Sequence, residues 1–246
     1  MLLIPNANFA QLKNVKYYDG KQTLNGISSE PQKALEDKPG ILILPAWKGI
    51  DPHAKDTAER LSKLGYYTFI ADIYGEGHYP KNIAEAGEIS GSYKKNRGQY
   101  QTRIRLALNQ LIQSGANAEK IVVIGYCFGG TGALEVARAN MAVAGVVSIH
   151  GGLSKDSAKT PTTIATKILV CHGANDPYVP QEEVLAFQNE MRVAKADWQM
   201  IYYANAVHAF TDPDAGNDNS KGAAYNEKAD KRSWQHLLVF LKEVFK

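Results

Sequence analysis

Short apolar runs alternate with helical patterns along most of the chain, and this alternation limits the possible folds more than any other feature of the sequence. "GILILP" (40–45) is a continuous apolar run between Gly and Pro, as a strand buried on both faces would be. Asp51-Pro52 then offers a helix N-cap and a first-turn proline, and Ala54, Ala58, Leu61 and Leu64 share one side of that helix up to Gly65. "YYTFIADIYG" (66–75) is the next strand, and further strands are expected at 120–124, 143–149, 167–172 and 198–203. Helices are expected at 99–113, 129–139, 181–194 and 225–244. Ile104, Leu108, Leu111 and Ile112 form the inner face of the first of these; Trp234, Leu237, Leu238, Leu241 and Phe245 form that of the last. Upstream, "NVKYYDGKQTLNGISSEP" (14–31) reads as two short strands around an Asp19-Gly20 turn. Strands alternating with helices imply a mostly parallel central sheet with helices on both faces. A chain of 246 residues suits one such domain, 1–246, better than two. Function in open α/β sheets gathers at the carboxyl ends of the strands, so the residues just after each apolar run carry the chemical information.

Composition narrows the partners. Hydrophobic residues make up 44% and charged residues 22%, enough for a sizeable core. The net charge of +3 is scattered and forms no basic block, so neither nucleic acid nor an anionic membrane surface is expected as a partner. Two cysteines, Cys127 and Cys171, do not make a disulfide framework. Met1-Leu2-Leu3-Ile4-Pro5 has no basic region and too few apolar residues for a secretory signal, and no uncharged run is long enough to span a bilayer. A cytoplasmic location is the expectation.

The strand "KIVVIG" runs directly into "YCFGG" and then into small and apolar residues at helical spacing, Ala133, Leu134, Val136 and Ala137. A residue on so tight a strand-to-helix turn has a strained backbone, and its neighbours two places away must lack bulk; here they are Gly125 and Gly129. A small buried cysteine in a glycine-rich turn would be the plainer reading. The strand before it and the helix after it favour an elbow that presents a nucleophile at a helix N-terminus, where the dipole and free N–H groups favour a thiolate. The Phe128 N–H would then point at an oxyanion formed beside the sulfur. A thiolate needs a base, and the base an orienting group. Asp176 follows the strand "KILVCHG" and His208 follows "WQMIYYA", so the order is nucleophile, acid, histidine with gaps of 49 and 32 residues. Each of Cys127, Asp176 and His208 sits just beyond an expected strand, which packing alone would not require.

With these pieces in place the chain resembles the dienelactone hydrolase family of the α/β-hydrolase superfamily. The resemblance rests on "GYCFGG" (125–130), "HGANDPYVP" (172–180) and "AVHAFTDP" (206–213), with weaker echoes in "DIYGEG" (72–77) and "YNEKADKRSW" (225–234), and it extends from about residue 14 to the end. It implies the α/β-hydrolase fold, with Cys127 as nucleophile, His208 as base and Asp176 as its orienting acid. It places the second oxyanion N–H on Trp47, beside that of Phe128. Two departures affect the expected substrate. The family's namesake enzymes carry a glutamate after the first parallel strand, where this chain has Pro45-Ala46-Trp47, and they hold a substrate carboxylate with arginines where this chain reads "HAFTDPD" and "YGEG". Asp212 and Glu76 would repel a carboxylate.

The expected function is hydrolysis of small carboxylic esters or lactones through a thioester acyl-enzyme, with no cofactor and no metal. The alternative is a non-catalytic small-ligand-binding protein on a hydrolase scaffold; redox sensing at Cys127 would need a resolving thiol. The segment 75–98, rich in glycine and tyrosine, is expected to be a loose lid. Tyr74, Tyr93, His150 and Phe210 are candidate substrate contacts, and Tyr79 and Tyr100 are further rings of the lid region. Arg97, Arg103 and Arg105 are candidates for holding an anionic group. Asp72 suits loop bracing, Cys171 a buried apolar role, and His172 a structural one. His53 and His78 are read as facing solvent, and His236 as lying on the last helix. "DPDAGNDNS" (212–220) reads as an Asx-rich turn rather than a calcium loop, because Gly216 stands where the third oxygen ligand belongs and no glutamate closes the loop at Ala223.

Overall fold

A computed structural model describes residues 11–246; the apolar start Met1–Pro5 lies outside the described residues. Among them is an eight-stranded sheet in the order β1-β2-β4-β3-β5-β6-β7-β8. β1 (Leu12–Asp19) and β2 (Gln22–Ser29) form an antiparallel hairpin turning at Gly20, and β2 pairs antiparallel with β4 (Tyr67–Ile70). From β4 onward the neighbours are parallel: β3 (Gly40–Leu44), β5 (Ile121–Tyr126), β6 (Gly145–Ile149), β7 (Lys167–Gly173) and β8 (Trp198–Tyr203).

The side-chain period of two sorts each central strand onto two cores. Ile41, Ile43, Val122 and Ile124 pack with Ala58 and Leu61 of α1 (Pro52–Lys63) and with Leu237 and Leu241 of α6 (Glu227–Val244). Leu42, Leu44 and Val123 face the other way, toward Ile104 and Leu111 of α3 (Arg97–Gln113), Leu134 of α4 (Phe128–Arg138) and Phe187 of α5 (Gln181–Val193). Every residue of β3 and β5 is buried. At about 1.5–3 kcal/mol per aliphatic side chain, these continuous runs supply much of the drive that assembles the sheet. No helix among the described residues is long and apolar enough to cross a membrane.

Two expectations need correction. The strand expected over 66–75 ends at Ile70, because Asp72 captures the chain that follows. Its carboxylate accepts from the N–H groups of Tyr74 (3.1 Å), Gly75 (2.9 Å) and Asn25 (2.7 Å) and from the Tyr79 hydroxyl (2.7 Å), pulling the backbone out of the ladder. The segment expected to be loose over 75–98 instead contains a helix, α2 (Ile83–Lys95). Asn82 Oδ1 accepts from Glu85 N–H at 2.9 Å, and the Glu85 carboxylate reaches back to Lys81 N–H at 2.8 Å, so the first turn is capped in both directions. Its apolar stripe is thin: of its residues only Ala86, Ser90 and Tyr93 are buried, and Gly87 and Gly91 dilute the helical pattern.

Candidate active site

The elbow follows from backbone crowding. Cys127 has φ +53 and ψ −114, between the last residue of β5 and the first of α4. A Cβ at Gly125 would collide with the Gly129 carbonyl, and a Cβ at Gly129 with the Leu44 carbonyl at the end of β3. The turn is therefore packed against the neighbouring strand, and the half-buried Cys127 side chain rises at the carboxyl edge of the sheet. Phe128, the first residue of α4, is clamped by its neighbours. Its ring stacks on Tyr100 at 4.5 Å and faces Tyr74 at 5.8 Å, while the Tyr100 hydroxyl donates to the Phe128 carbonyl at 3.0 Å.

Two further strand ends bring their loops to the same edge. His208 Nε2 lies 3.0 Å from Cys127 Sγ, and His208 Nδ1 lies 2.8 Å from Asp176 Oδ2. The Asp176 side chain is fully buried, and its other oxygen accepts from Tyr178 N–H at 2.9 Å. His208 is pinned through its own backbone: its N–H donates to the Gly222 carbonyl at 3.1 Å and its carbonyl accepts from Ala224 N–H at 3.0 Å. A carboxylate on Nδ1 fixes that nitrogen as the donor and leaves Nε2 for the sulfur.

The electrostatics follow from this geometry. Burial alone would push the Cys127 thiol up, but the His208 hydrogen bond and charge, the Lys94 ammonium of α2 and the Phe128 N–H together bring it below its ordinary value. Burial alone would likewise lower His208, yet the Asp176 and Cys127 hydrogen bonds and charges raise it to about 10. Both shifts favour a thiolate–imidazolium pair. Cys171, by contrast, is buried on the opposite core face with its sulfur near the Tyr203 hydroxyl, and burial pushes it up to about 12.

The Ala46–Trp47 peptide is held by Gly49 N–H, which donates to the Ala46 carbonyl at 3.0 Å; in a trans peptide the Trp47 N–H then points the opposite way. Tyr74 donates its hydroxyl to the Trp47 carbonyl at 2.7 Å, fixing the next peptide too.

The other candidates have the following places. Tyr74 and Tyr93 are buried against Phe128, and their remaining surface faces a cavity of about 560 Å³ beneath α2 that Tyr79 and Arg103 also line. Phe210 is fully buried against Tyr203 and His150, and His150 is itself 2% exposed. Arg97 is committed to Glu135, and Arg103 to Asp19 at 3.0 Å, while Arg105 is exposed. Asp212 and Asp218 each cap a short 3-10 turn, accepting from Asp214 N–H and Ser220 N–H. Glu76 is exposed, its carboxylate near Asn25. His53 sits edge-on to Tyr126 at 4.5 Å, and His236 bonds the Tyr203 hydroxyl at 2.8 Å.

Sequence reasoning passed over several neighbours of the site. Tyr178 is 59% exposed and lies edge-on to the His208 ring at 5.3 Å; its place two residues after Asp176 in "HGANDPYVP" was the available signal. Lys94 and the 222–224 segment carry no motif, and only the fold brings them close.

A mostly parallel sheet bearing a strained elbow after β5, an acid after β7 and a histidine after β8 defines an α/β-hydrolase. Comparison with known proteins narrows the class: the model of the dienelactone hydrolase family matches residues 24–245, and the chain belongs to that family. It is similar to a dienelactone hydrolase-like promiscuous phosphotriesterase from metagenomic libraries, at 35% identity and a TM-score of 0.89, covering 96% of this chain and 99% of that one. A solved structure titled m3DLH gives 33% identity and a TM-score of 0.91, over 97% and 100% of the two chains. A Salmonella typhimurium protein provisionally named carboxymethylenebutenolidase is 27% identical over 215 residues, 83% of this chain and 77% of that one.

Proposed function

We propose that this protein hydrolyses small carboxylic esters or lactones through a thioester on Cys127, with His208 as acid and base and Asp176 as the group that orients it. The observation that carries this reading is the continuous contact from sulfur through imidazole to a buried carboxylate, 3.0 Å and 2.8 Å, on a strained elbow. The family relatives add support through their names, a carboxymethylenebutenolidase being a lactone hydrolase by its name.

The thiolate attacks the acyl carbon, and the carbonyl oxygen becomes an oxyanion facing the Phe128 and Trp47 N–H groups. One such donor is worth about 3–4 kcal/mol. The intermediate collapses, the C–O bond breaks, and the imidazolium Nε2–H protonates the departing alkoxide. In the thioester the sulfur bears no charge, so the imidazole loses one of the partners that held its proton. Neutral at Nε2, it takes a proton from water, which attacks the thioester and returns the thiolate. Asp176 holds the Nδ1–H tautomer throughout and offsets the charge on the ring. The glutamate that the family's namesake enzymes carry after the first parallel strand is not needed to generate the thiolate in this scheme, because the His208 contact already favours it. A thiolate is a better leaving group than an amide nitrogen, so unactivated amides are poor substrates and esters, lactones and thioesters good ones.

A short-chain chromogenic ester tests the reading. Wild type should turn over, and Cys127→Ala and His208→Ala should each lose at least about 10³-fold in kcat, as removal of a nucleophile or its base does elsewhere. Either variant holding its rate within tenfold of wild type would sink the assignment. Saturable ligand binding with no turnover by wild type would favour the ligand-binding alternative.

A further inference from the structure

His150 is the first residue beyond β6, and it holds a left-handed backbone, φ +40, while almost fully buried. Such a conformation is unfavourable for a non-glycine residue and persists where the surroundings enforce it. Both ring nitrogens are engaged. The Cys127 N–H donates to His150 Nδ1 at 3.1 Å, sharing its proton with the Ile149 carbonyl at 3.0 Å. An accepting Nδ1 puts the proton of a neutral ring on Nε2, and that nitrogen meets Thr211 Oγ1 at 2.9 Å. Burial keeps the ring neutral by pushing it well below the ordinary imidazole value, and His208 and His53 act in the same direction. Thr211 is buried and stands three residues after His208 in the same loop.

One ring therefore spans from the backbone of the elbow to the loop that carries the histidine. Cys127 and His208 are 81 residues apart in the chain, and their own contact is a single sulfur–nitrogen approach. The His150 ring also lies edge-on to His208 at 5.4 Å and to Phe210 at 5.1 Å, so it fills the space behind the base as well as tying its loop.

We propose that His150 is a positioning residue, a strut between the Cys127 elbow and the His208 loop that sets the distance from Sγ to Nε2. The proposal rests on the reading of Cys127 as nucleophile and His208 as its base. It gives His150 no contact with substrate.

Isosteric variants separate the two bonds. Asn places an oxygen near Nδ1, keeping the Cys127 bond and losing Thr211. Gln places its amide near Nε2, keeping Thr211 and losing the Cys127 bond. Thr211→Val removes the acceptor and keeps the shape. The measurements are kcat and KM on the chromogenic ester, the rate of Cys127 alkylation by iodoacetamide, and the thermal unfolding midpoint, for His150→Asn, His150→Gln, Thr211→Val and the double variant His150→Asn/Thr211→Val.

Each single variant should lower kcat by about 10–100-fold, the scale of an ångström-sized misplacement, with KM within about threefold. The double variant should lose no more than His150→Asn alone, because both changes break the same bond. Alkylation at neutral pH should slow in the same variants. The proposal fails if Thr211→Val and His150→Asn keep kcat within about twofold, if their effects multiply in the double variant, or if KM rises while kcat holds. Should the His150 variants unfold, Thr211→Val with a wild-type midpoint decides the matter alone. An active Cys127→Ala would instead sink the underlying triad reading, whatever the His150 variants do.

Discussion

Replacing His208 with alanine should change the titration of the Cys127 thiol in a way that no substrate is needed to see. The sulfur and Nε2 are 3.0 Å apart. Two unit charges at that distance attract by about 5–6 kcal/mol at an effective dielectric near 20, equivalent to roughly four decades in a proton equilibrium before burial takes back its share. In the wild type this attraction outweighs burial, so the thiol ionises below its ordinary value and the imidazolium holds its proton up to about 10. The sign follows: the ion pair forms as pH rises through the depressed thiol value and breaks as pH rises through about 10. Without the imidazole, burial is the largest cause left, and it pushes the thiol up. An ordinary thiol near 8.5 is only about 3% ionised at pH 7, and the low-pKa wild-type thiolate gives back part of its advantage in lower intrinsic nucleophilicity, so His208→Ala should alkylate with iodoacetamide about tenfold more slowly at pH 7 than wild type. The two rates should converge toward pH 10. The assay is the pseudo-first-order alkylation rate from pH 5 to 10.5, read by intact mass with Cys127→Ala as the blank. A wild-type profile with one step at or above the ordinary thiol value, or a His208→Ala profile that overlays it, would refute the ion-pair reasoning.

The same structure fixes several further outcomes. Asp176→Asn keeps the shape of the acid but removes its charge; it should cost about 10³–10⁴-fold in kcat, with KM little changed, in steady-state ester kinetics. Glu135 is buried and shared between Arg97 and Arg138, which also pairs with Glu190 at 2.8 Å. Glu135→Ala leaves Arg97 without its carboxylate, while Arg138 keeps both Glu190 oxygens; it should lower stability by about 3 kcal/mol in urea unfolding. Gly129→Ala drives a methyl into the Leu44 carbonyl; it should cost at least about 1–3 kcal/mol by the same measurement and abolish turnover in whatever fraction folds. Asp72→Ala releases the four donors that the carboxylate gathers. Amide exchange across residues 72–79 should rise in this variant while β5 stays protected.

The sheet was legible because its signals are local and strong. Runs such as Ile121–Ile124 between Lys120 and Gly125, and helices with a full apolar stripe such as α1 and α6, announce their type within a few residues. The geometry of the elbow was legible for a related reason: a cysteine flanked two places away by glycines at a strand-to-helix turn is a local steric statement, and the order of Cys127, Asp176 and His208 follows from the order of the strands. The helix at 83–95 reads as loose in the sequence because its buried face is thin and weakly apolar, Ala86, Ser90 and Tyr93, with Gly87 and Gly91 between them; the Asn82–Glu85 cap was the local signal that was passed over.

The sequence alone determined an α/β chain with a thiol, an acid and an imidazole each placed after a strand, because strand period and glycine sterics act over a few neighbouring residues. Only the tertiary structure decided what surrounds those groups. It turned His150 and Phe210 inward, committed Arg97 and Arg103 to carboxylates from other elements, and pinned His208 between Gly222 and Ala224. Such pairings join residues tens of positions apart, and their partners are selected by packing, which leaves no periodic trace in the chain.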